Sequence, residues 1–369
     1  MRFLHTADFQ IGMKATHVGA AAEKVREQRL ESVRRLVELA KGNGVEFIIV
    51  AGDLFEDNGI DRTQVLKLVD ILEHFGGPVF IIPGNHDPLA PGSVWANSAW
   101  TNTPRIKVLD AERPEAIPNG LIYPCPIKDK YSTKDPTLWI PSESVEGVIR
   151  IGIAHGNLEG MPQAESDHRI ARNAAERANL DYLALGHWHS TATYADTSGA
   201  VRTAYSGTPE TSCFGERDSG NVLLVEIDSP GSAPKISVLH TGKYLWVTKP
   251  AEIISREDLV ALRSDIEGLK GPGDILLNLS IKGVLHTDNI SDLRRLEDVL
   301  KARFAYVQLD TEGLRPAPDD ERWIESLPEG YIREAAANLR KIAASDRTDA
   351  PIAARALLEL YMISSEVSQ

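Results

Sequence analysis

Aspartate, asparagine and histidine residues recur along the first half of the chain, each after a short and mostly apolar run. The recurring residues are Asp8, Asp53, Asn85, His86, Asp87, His155, His187 and His189. Their side chains offer carboxylate, amide and imidazole ligands, a mixture that suits Mn²⁺, Fe²⁺ or Zn²⁺ better than a closed thiolate zinc site. Two divalent ions about 3.5–4 Å apart can hold both oxygens of a phosphoryl displacement. The pattern therefore predicts a two-metal centre for phosphate ester chemistry.

Such a centre needs one carboxylate that contacts both ions, and Asp53 is the best candidate. It directly follows an apolar run, and Gly52 before it allows the backbone to turn tightly. A single Asp after a strand is more often a turn or capping residue, and a single His is more often structural. The prediction therefore depends on metal-competent residues occurring together after five separate runs.

The runs before these residues are predicted to be strands of an α/β domain. The strands that end at candidate ligands span residues 2–6, 47–50, 78–82, 148–154 and 180–185. Apolar residues at helical spacing predict helices at 22–41 and 64–75. Strands that alternate with helices indicate much parallel sheet, whose chemistry lies beyond the carboxyl ends of the strands. From about residue 191, short strands with polar turns predict a second sheet that closes the domain.

The chain is long enough for more than one domain, and its pattern changes twice. Residues 1–242 hold every candidate ligand. Residues 243–315 follow a β-α-β-α-β pattern, which predicts a small separate α+β domain. Residues 316–369 carry two predicted helices, at about 330–345 and 351–365. We therefore expect two domains and a C-terminal helical segment.

Composition limits the location and the partners. No apolar run approaches the roughly 20 residues needed to span a bilayer, and the N-terminus reaches Asp8 too early for a secretory signal. Two cysteines, Cys125 and Cys213, form no disulfide framework, so a cytoplasmic location without membrane attachment is expected. The net charge of −13 counts against a nuclease, because phosphate binding depends on local Lys and Arg. A role on DNA would therefore need a local basic surface, metal ions that offset the acidic residues, or a partner.

The spaced residues resemble the five-motif signature of calcineurin-like metallophosphoesterases. The matching motifs are Asp8, Gly52-Asp53, Gly84-Asn85-His86-Asp87, His155 and Gly186-His187-x-His189. Within that superfamily, three segments are most similar to the nuclease subunit of SbcCD-type DNA double-strand-break repair exonucleases. These segments are His5-Thr-Ala-Asp8, Ala51-Gly-Asp-Leu-Phe55 and Tyr205-Ser-Gly-Thr-Pro-Glu210 with Phe214-Gly-Glu216. The resemblance implies a four-layer α/β/β/α sandwich, and it implies that residues 243–315 form a capping domain.

The resemblance also implies a role for each motif residue. The ligands implied for the first ion are Asp8, Asp53 and His189. The ligands implied for the second ion are Asp53, Asn85, His155 and His187. His86 would lie beside the scissile phosphate and donate to its oxygens or to the leaving group, and Asp87 would orient His86. A water or hydroxide between the ions, with Mn²⁺ expected and Mg²⁺, Fe²⁺ or Zn²⁺ as alternatives, would attack the phosphorus.

One motif departs from the family pattern. The first motif of the family is Asp-x-His, and here it is Asp8-Phe9-Gln10. Alternation along an extended segment would place Gln10 on the same side as Asp8. Its amide oxygen can ligate, but it is a neutral and weaker donor than imidazole, so we expect a weaker first site that favours Mn²⁺ or Mg²⁺ over Zn²⁺. The alternative is that Gln10 does not ligate. Glu56, where relatives often carry His or Asp, adds a carboxylate near the site.

Several basic and aromatic residues are candidates for substrate contact. Arg169 and Arg172, after the His155 run, are the best candidates for phosphate binding. A basic run interleaves with glutamates at helical spacing and is expected to lie on a solvated face: Lys24, Arg26, Arg29, Arg34 and Arg35. Three tryptophans could contact DNA or a second copy of the chain, or could pack in the core: Trp95, Trp100 and Trp139.

The last two predicted helices have apolar stripes. The stripe residues are Ile332, Ala335, Leu339, Ile342, Ala353, Leu357, Leu360 and Tyr361. In the family that the chain resembles, this region binds an SbcC-type ATPase subunit, and the resemblance also implies a homodimer. A helical hairpin packed on its own domain is the alternative, because an apolar stripe fits both arrangements.

The leading functional prediction is Mn²⁺-dependent hydrolysis of DNA by an exonuclease, and also an endonuclease, in double-strand-break repair. Two alternatives stay open. A phosphodiesterase or phosphatase for small nucleotides would suit the acidic net charge. A DNA-end-binding subunit weakened in catalysis would follow if Gln10 leaves the first metal site incomplete.

Overall fold

The computed structural model describes residues 1–144, 146–161, 167–286, 289–317 and 322–367. The chain divides into two compact units, Met1–Tyr244 and Leu245–Gln369. This division falls close to the boundary expected at residue 242. The further division of the second unit at residue 315 stays a prediction.

The first unit alternates strands and helices before it becomes mainly β. Its strands are β1 (Arg2–Thr6), β2 (Phe47–Ala51), β3 (Val79–Ile82), β4 (Ile106–Val108), β5 (Glu115–Ile117), β6 (Gly120–Pro124), β7 (Ile149–His155), β8 (Asn157–Leu158), β9 (Arg169–Ile170), β10 (Tyr182–Gly186), β11 (Ala192–Ala195), β12 (Val201–Tyr205), β13 (Asn221–Glu226) and β14 (Lys235–His240). Its α-helices are α1 (Ala22–Gly42), α2 (Arg62–Glu73), α3 (Ser98–Thr101) and α4 (Ala174–Arg177). The predicted strands before the candidate ligands and the two predicted helices are confirmed.

Two sheets form the centre of this unit. The first has the strand order β14-β13-β1-β2-β3-β4, in which β1 to β4 are parallel. The second has the order β11-β12-β10-β7-β6-β5, and its strands β12, β10, β7 and β6 are parallel. Because parallel neighbours end at the same sheet edge, the loops after β1, β2 and β3 lie together, and so do those after β7 and β10.

Alternating side chains build the layers around these sheets. Ile48 of β2 packs in a cluster with α1 and α2, whereas Ile49 faces the second sheet. Between the sheets, Phe47 stacks on Phe3 with ring centroids 4.9 Å apart, and Phe3 meets Tyr182 of β10 at 5.7 Å. A further apolar cluster joins the outer face of the second sheet to α4. The order helix, sheet, sheet, helix confirms the predicted α/β/β/α sandwich.

His5 of β1 links the two sheets through a polar contact inside this core. The side chain is fully buried, with Nδ1 2.9 Å from the Tyr182 hydroxyl and Nε2 3.1 Å from the backbone oxygen of Leu185. A carbonyl oxygen only accepts, so Nε2 carries the proton and Nδ1 accepts from the tyrosine. Burial lowers the pKa of His5 to about 3. The ring is therefore neutral and structural.

The second unit contains a parallel three-stranded sheet followed by helices. Its strands are β15 (Leu245–Ile253), β16 (Ile275–Leu285) and β17 (Tyr306–Pro316). Its α-helices are α5 (Arg256–Glu267), α6 (Ile290–Arg303), α7 (Arg322–Ser326), α8 (Tyr331–Ala343) and α9 (Ala350–Val367). Helices α5 and α6 connect the strands and pack against them, which confirms the predicted β-α-β-α-β pattern. A Ser255–Asp258 capping box begins α5.

Helices α8 and α9 pack on each other within this unit. Ala336 and Leu357 are buried in a shared cluster that also contains Leu339 and Leu360. Arg355 of α9 lies 3.3 Å from a carboxylate oxygen of Asp258 in α5. The hairpin arrangement is thus present. Among the described residues, no helix is long and apolar enough to cross a membrane.

His5 gives the fold an acid sensitivity that can be measured. Since its pKa is about 3 in the folded chain and near 6.5 when unfolded, its contribution to stability is complete above pH 6.5 and is lost as pH falls toward 3. Between these two pKa values, the free energy of unfolding falls by up to about 1.4 kcal/mol for each unit by which the pH is lowered. His5→Gln keeps one donor and one acceptor but does not titrate. Urea unfolding at pH 7 and pH 5 should show a smaller pH dependence for His5→Gln than for the native chain, and equal dependences would contradict this role.

Candidate metal centre

All seven predicted metal ligands follow strands whose carboxyl ends lie at one edge of the sandwich. Asp8 and Gln10 follow β1, Asp53 follows β2 and Asn85 follows β3, all in the first sheet. The ligands from the second sheet are His155 at the end of β7, and His187 and His189 after β10. The structure brings four of these side chains into direct contact.

These four side chains are Asp53, Asn85, His155 and His187, which we name the second site. Nε2 of His155 lies 3.3 Å from Oδ2 of Asp53 and 2.8 Å from Oδ1 of Asn85. Nδ1 of His187 lies 3.0 Å from the same Asn85 oxygen. Ligand atoms of Asp53, His155 and His187 all lie within 4.8 Å of one another. One carboxylate oxygen, one amide oxygen and two imidazole nitrogens thus converge on a small buried volume.

The tautomer of His155 suits a metal ion. Nδ1 of His155 lies 2.8 Å from the backbone oxygen of Ala51, which only accepts, so Nδ1 donates there. Nε2 is therefore the nitrogen that faces the Asp53 and Asn85 oxygens. Loss of its proton would leave a lone pair directed at the point where those oxygens meet. This donor set fits a divalent cation bound by carboxylate, amide and imidazole.

The pKa shifts favour one positive charge, on His155, and disfavour a second one on His187. Burial alone would lower the pKa of His155, but the charge and hydrogen bond of Asp53 raise it to about 9. Burial alone would raise the pKa of Asp53, yet His155 and His86 hold that pKa below its usual range. Burial, aided by the charge of His155, lowers the pKa of His187 to about 3. A cation at this point would replace the proton of His155.

The remaining predicted ligands are Asp8, Gln10 and His189, which we name the first site, and Asp53 is the ligand predicted to be shared by the two sites. Asp8 is fully buried, and its two carboxylate oxygens accept from the backbone N–H of His187 at 3.0 and 3.1 Å. Burial raises the pKa of Asp8 to about 6. Gln10 is buried and donates its backbone N–H to the Asp53 carbonyl at 3.0 Å. The backbone of Gln10 therefore lies beside that of Asp53. The expectation of an extended segment from Asp8 to Gln10 is wrong, because both residues have positive φ.

His86 and Asp87 occupy the loop after β3. The backbone N–H of His86 donates to Oδ1 of Asp53 at 2.9 Å, and its half-buried ring has Nδ1 3.1 Å from the Glu56 carbonyl oxygen. Asp87 accepts from the backbone N–H groups of Gly84 and Phe55 at 2.7 and 3.0 Å. Asp87 therefore shapes the loop, and the Glu56 carbonyl, rather than Asp87, contacts the ring of His86.

Backbone strain is concentrated at these ligands. Four of them have a positive φ, which residues other than glycine rarely adopt: Asp8 (57°), Gln10 (44°), Asp53 (53°) and His187 (102°). A Cβ atom added to Gly84 would lie 2.1 Å from Oδ1 of Asp53, so only glycine fits there. Such strain persists where the surrounding structure holds it, and it is typical of functional sites.

A buried arginine holds the strained loop after β1. Arg29 of α1 is 2% exposed and donates to the backbone oxygens of Phe9, Asp8 and Glu210 at 2.8, 3.2 and 3.1 Å. The expectation that the basic run of α1 lies on a solvated face is therefore wrong for Arg29. Its position on the helix directs this side chain toward the protein interior. There it donates to backbone oxygens of distant residues, and these contacts cannot be read from the sequence.

Glu216 is a second residue whose role the sequence left unassigned. Oε1 of Glu216 lies 2.7 Å from Nδ1 of His189, and Oε2 accepts from the backbone N–H of Ser212 at 2.7 Å. Burial alone would raise the pKa of Glu216, but the hydrogen bond and charge of His189 lower it to about 2. An ionised carboxylate at Nδ1 orients the imidazole and leaves Nε2 for a metal. The Phe214-Gly-Glu216 motif marked this residue as part of the resemblance, but it did not indicate the contact with His189.

The other candidate substrate residues lie outside this cluster. Arg169 is largely exposed and forms a 3.1 Å ion pair with Glu159. The guanidinium of Arg172 stacks on the ring of Tyr194, 4.1 Å from its centroid. Trp95 and Trp100 are buried in the core beside α2. Of the two alternatives for these residues, the structure therefore supports core packing rather than contact with DNA or a second copy. Trp139 is partly buried against the outer cluster of the second sheet.

The chain is similar in sequence to known proteins. A family model described as calcineurin-like phosphoesterase matches residues 1–191. The chain is 22% identical over 348 residues to the uncharacterized metallophosphoesterase YhaO of Bacillus subtilis, a match that covers 90% of this chain and 76% of YhaO. It is 25% identical over 258 residues to the DNA double-strand break repair protein Mre11 of Methanopyrus kandleri, covering 63% of this chain and 55% of that protein.

A solved structure is similar to part of the chain. TT1561 of Thermus thermophilus aligns with 65% of this chain and 98% of its own length, at 12% identity and a TM-score of 0.42. The family match itself contains every predicted metal ligand, from Asp8 to His189.

Glu216→Gln tests the orientation of His189. The substitution keeps the shape of the side chain but removes the charge that fixes the ring, so binding of a divalent ion at His189 should weaken by about 10–100-fold. Calorimetric titration of the metal-free chain with Mn²⁺ would measure this change. Glu226→Gln is the matched control and should bind as the native chain does, because Glu226 pairs with Arg2 at the start of β1, away from the ligands that follow that strand. Unchanged Mn²⁺ binding in Glu216→Gln would exclude the orienting role.

Proposed function

The chain belongs to the calcineurin-like phosphoesterase family, and on that basis we propose that it hydrolyses phosphodiester bonds in DNA with two divalent metal ions. The observation that carries the phosphoesterase chemistry is the convergence of Asp53, Asn85, His155 and His187 from four strand ends. The DNA substrate rests on the similarity to Mre11 and on the motifs shared with SbcCD-type nucleases. Double-strand-break repair is the process that this similarity supports.

The ligand chemistry supports Mn²⁺ as the working ion. The second site offers two imidazoles with two oxygens, and the first site offers Asp8, His189 and the amide of Gln10. Replacing an imidazole by an amide oxygen shifts preference away from Zn²⁺ and toward Mn²⁺ or Mg²⁺. When bound, two such ions would activate a water and offset the charge of the phosphoryl oxygens.

His86 is the residue proposed to handle a proton during hydrolysis. Its Nδ1 faces the Glu56 carbonyl, which only accepts, so Nδ1 carries a proton and Nε2 is the nitrogen that remains for substrate. Donation from Nε2 to the leaving oxygen requires a second proton on the ring. The backbone contact to Asp53 fixes this ring beside the ligand shared by the two sites.

A small nucleotide is the second candidate substrate. The net charge of −13 opposes binding of a long polyanion. The exposed Arg169 is already paired with Glu159. A phosphodiesterase for small substrates would use the same metal ligands and the same His86.

Exposed apolar side chains on the last two helices are candidates for binding a partner. Helices α8 and α9 pack on each other, yet Tyr331, Ile332, Ile352 and Ile363 stay exposed. We propose that these apolar side chains bind an SbcC-type ATPase subunit, as the resemblance implies, and that the chain forms a homodimer. A cytoplasmic location also stays a prediction.

His86→Ala tests the proposed reaction. Removing the proton donor should lower turnover of DNA by about 10²–10⁴-fold, while folding and metal binding stay close to native. The assay follows cleavage of linear duplex and single-stranded DNA in saturating Mn²⁺, with a generic phosphodiester reporter in parallel. His74→Ala, at an exposed histidine after α2, is the matched control and should cleave at the native rate.

Which of the three substrates is hydrolysed distinguishes the candidate functions. DNA cleavage that is lost in His86→Ala and retained in His74→Ala would support the nuclease. Turnover of the reporter without cleavage of either DNA would favour the small-substrate enzyme. Inactivity on all three substrates, with DNA still bound, would leave a DNA-end-binding subunit.

A further inference from the structure

We propose that the two metal sites are unequal, so that the second site holds its ion tightly while occupancy of the first site by free Mn²⁺ switches hydrolysis on. This regulation rests on the proposed function, since it concerns the same centre. It predicts a chain that carries one resident ion and responds to the concentration of a second.

The second site is already assembled around a common point. Ligand atoms of Asp53, His155 and His187 lie within 4.8 Å of one another, and Asn85 lies within 3.0 Å of both imidazoles. Asp53, Asn85 and His155 are each less than 8% exposed. His155 is fixed on its other side by the Ala51 carbonyl at 2.8 Å. Because this ring has little freedom to lose, an ion binds to it at a small entropic cost.

The first site is not assembled in this way. Across the described ranges, Asp8, Asp53 and His189 form no group of three whose ligand atoms lie within 4.8 Å of one another. Both carboxylate oxygens of Asp8 already accept from the backbone N–H of His187. An ion at this site must therefore draw His189 and Asp8 together and share Asp8 with an existing donor.

The chemistry of the first site also lowers its affinity. Gln10 contributes a neutral amide where imidazole would be a stronger donor. The guanidinium of Arg29 is buried directly behind this loop, 3.2 Å from the Asp8 carbonyl oxygen, and its fixed positive charge opposes a cation. An ion in the second site adds further repulsion. The carboxylates of Asp8 and Asp53, and that of Glu216 beside His189, offset part of this repulsion, so the first site binds weakly rather than not at all.

Titration of the metal-free chain with Mn²⁺ measures the two affinities without reference to activity. We expect two classes of binding site, a tight class that holds one ion per chain and a weak class that holds the second. The affinity of the weak class should be lower by at least about tenfold, which is the smaller end of the loss in metal affinity when one supporting contact is removed. Electron paramagnetic resonance should show isolated Mn²⁺ first and a spin-coupled pair only as the weak class fills. The Mn²⁺ concentration for half-maximal hydrolysis should follow the weak class.

Substitutions assign each class to its residues. Gln10→His and Gln10→Glu each add a stronger donor and should tighten the weak class by about tenfold or more while the tight class keeps its affinity. His189→Ala should remove the weak class alone. Gln28→His, at a half-buried glutamine of α1, is the matched control and should change neither class.

Two outcomes would overturn the inference. One is two ions of equal affinity in the native chain, which is decisive even if every variant fails to fold. The other is folded Gln10→His and Gln10→Glu variants that leave the weak class unchanged. Unequal classes in a chain that hydrolyses neither DNA nor the reporter would support the unequal affinities but would refute the metal switch together with the proposed function. Two sites of equal affinity in a chain that cleaves DNA would refute the inference and support the proposed function.

Discussion

The contact between Asp53 and His155 joins the carboxyl ends of the two sheets, and the rest of the centre depends on it. Asp53 follows β2 of the first sheet, His155 ends β7 of the second, and Oδ2 and Nε2 lie 3.3 Å apart at full burial. A buried carboxylate and imidazole are costly to desolvate unless they are paired or bound to a cation. The packing of Phe3, Phe47 and Tyr182 between the sheets holds the two strand ends close enough to pair.

Bringing five loops to one point requires backbone that few residues adopt. Asp8, Gln10, Asp53 and His187 all have positive φ, and Gly84 must lack a side chain where Asp53 passes it. Each strained residue costs about 1–3 kcal/mol, so the fold retains this arrangement only because other contacts hold it. Arg29, with three backbone acceptors, and Asp87, with two backbone donors, supply contacts of that kind.

The strands and their order along the chain were predictable because apolar runs, glycines and ligand residues recur in a fixed sequence. The α/β/β/α layers followed from the resemblance, and the alternation of Ile48 and Ile49 between two cores shows their physical basis. Residues that act through long-range contacts were not predictable. Arg29 looked like one of several solvated cations, and nothing local shows that Glu216 reaches His189 or that Asp87 binds Phe55 rather than His86.

The most direct test of a metal centre built on Asp53 is the unfolding free energy with and without Mn²⁺, compared between the native chain and Asp53→Asn. A ligand that binds only the folded state at a hundredfold excess over its Kd stabilises it by about 2.7 kcal/mol. Asp53→Asn keeps the size of the side chain but removes the shared charge. The native chain should gain about this amount and Asp53→Asn little or none. An equal gain in both would contradict the account, because Mn²⁺ would then bind away from Asp53.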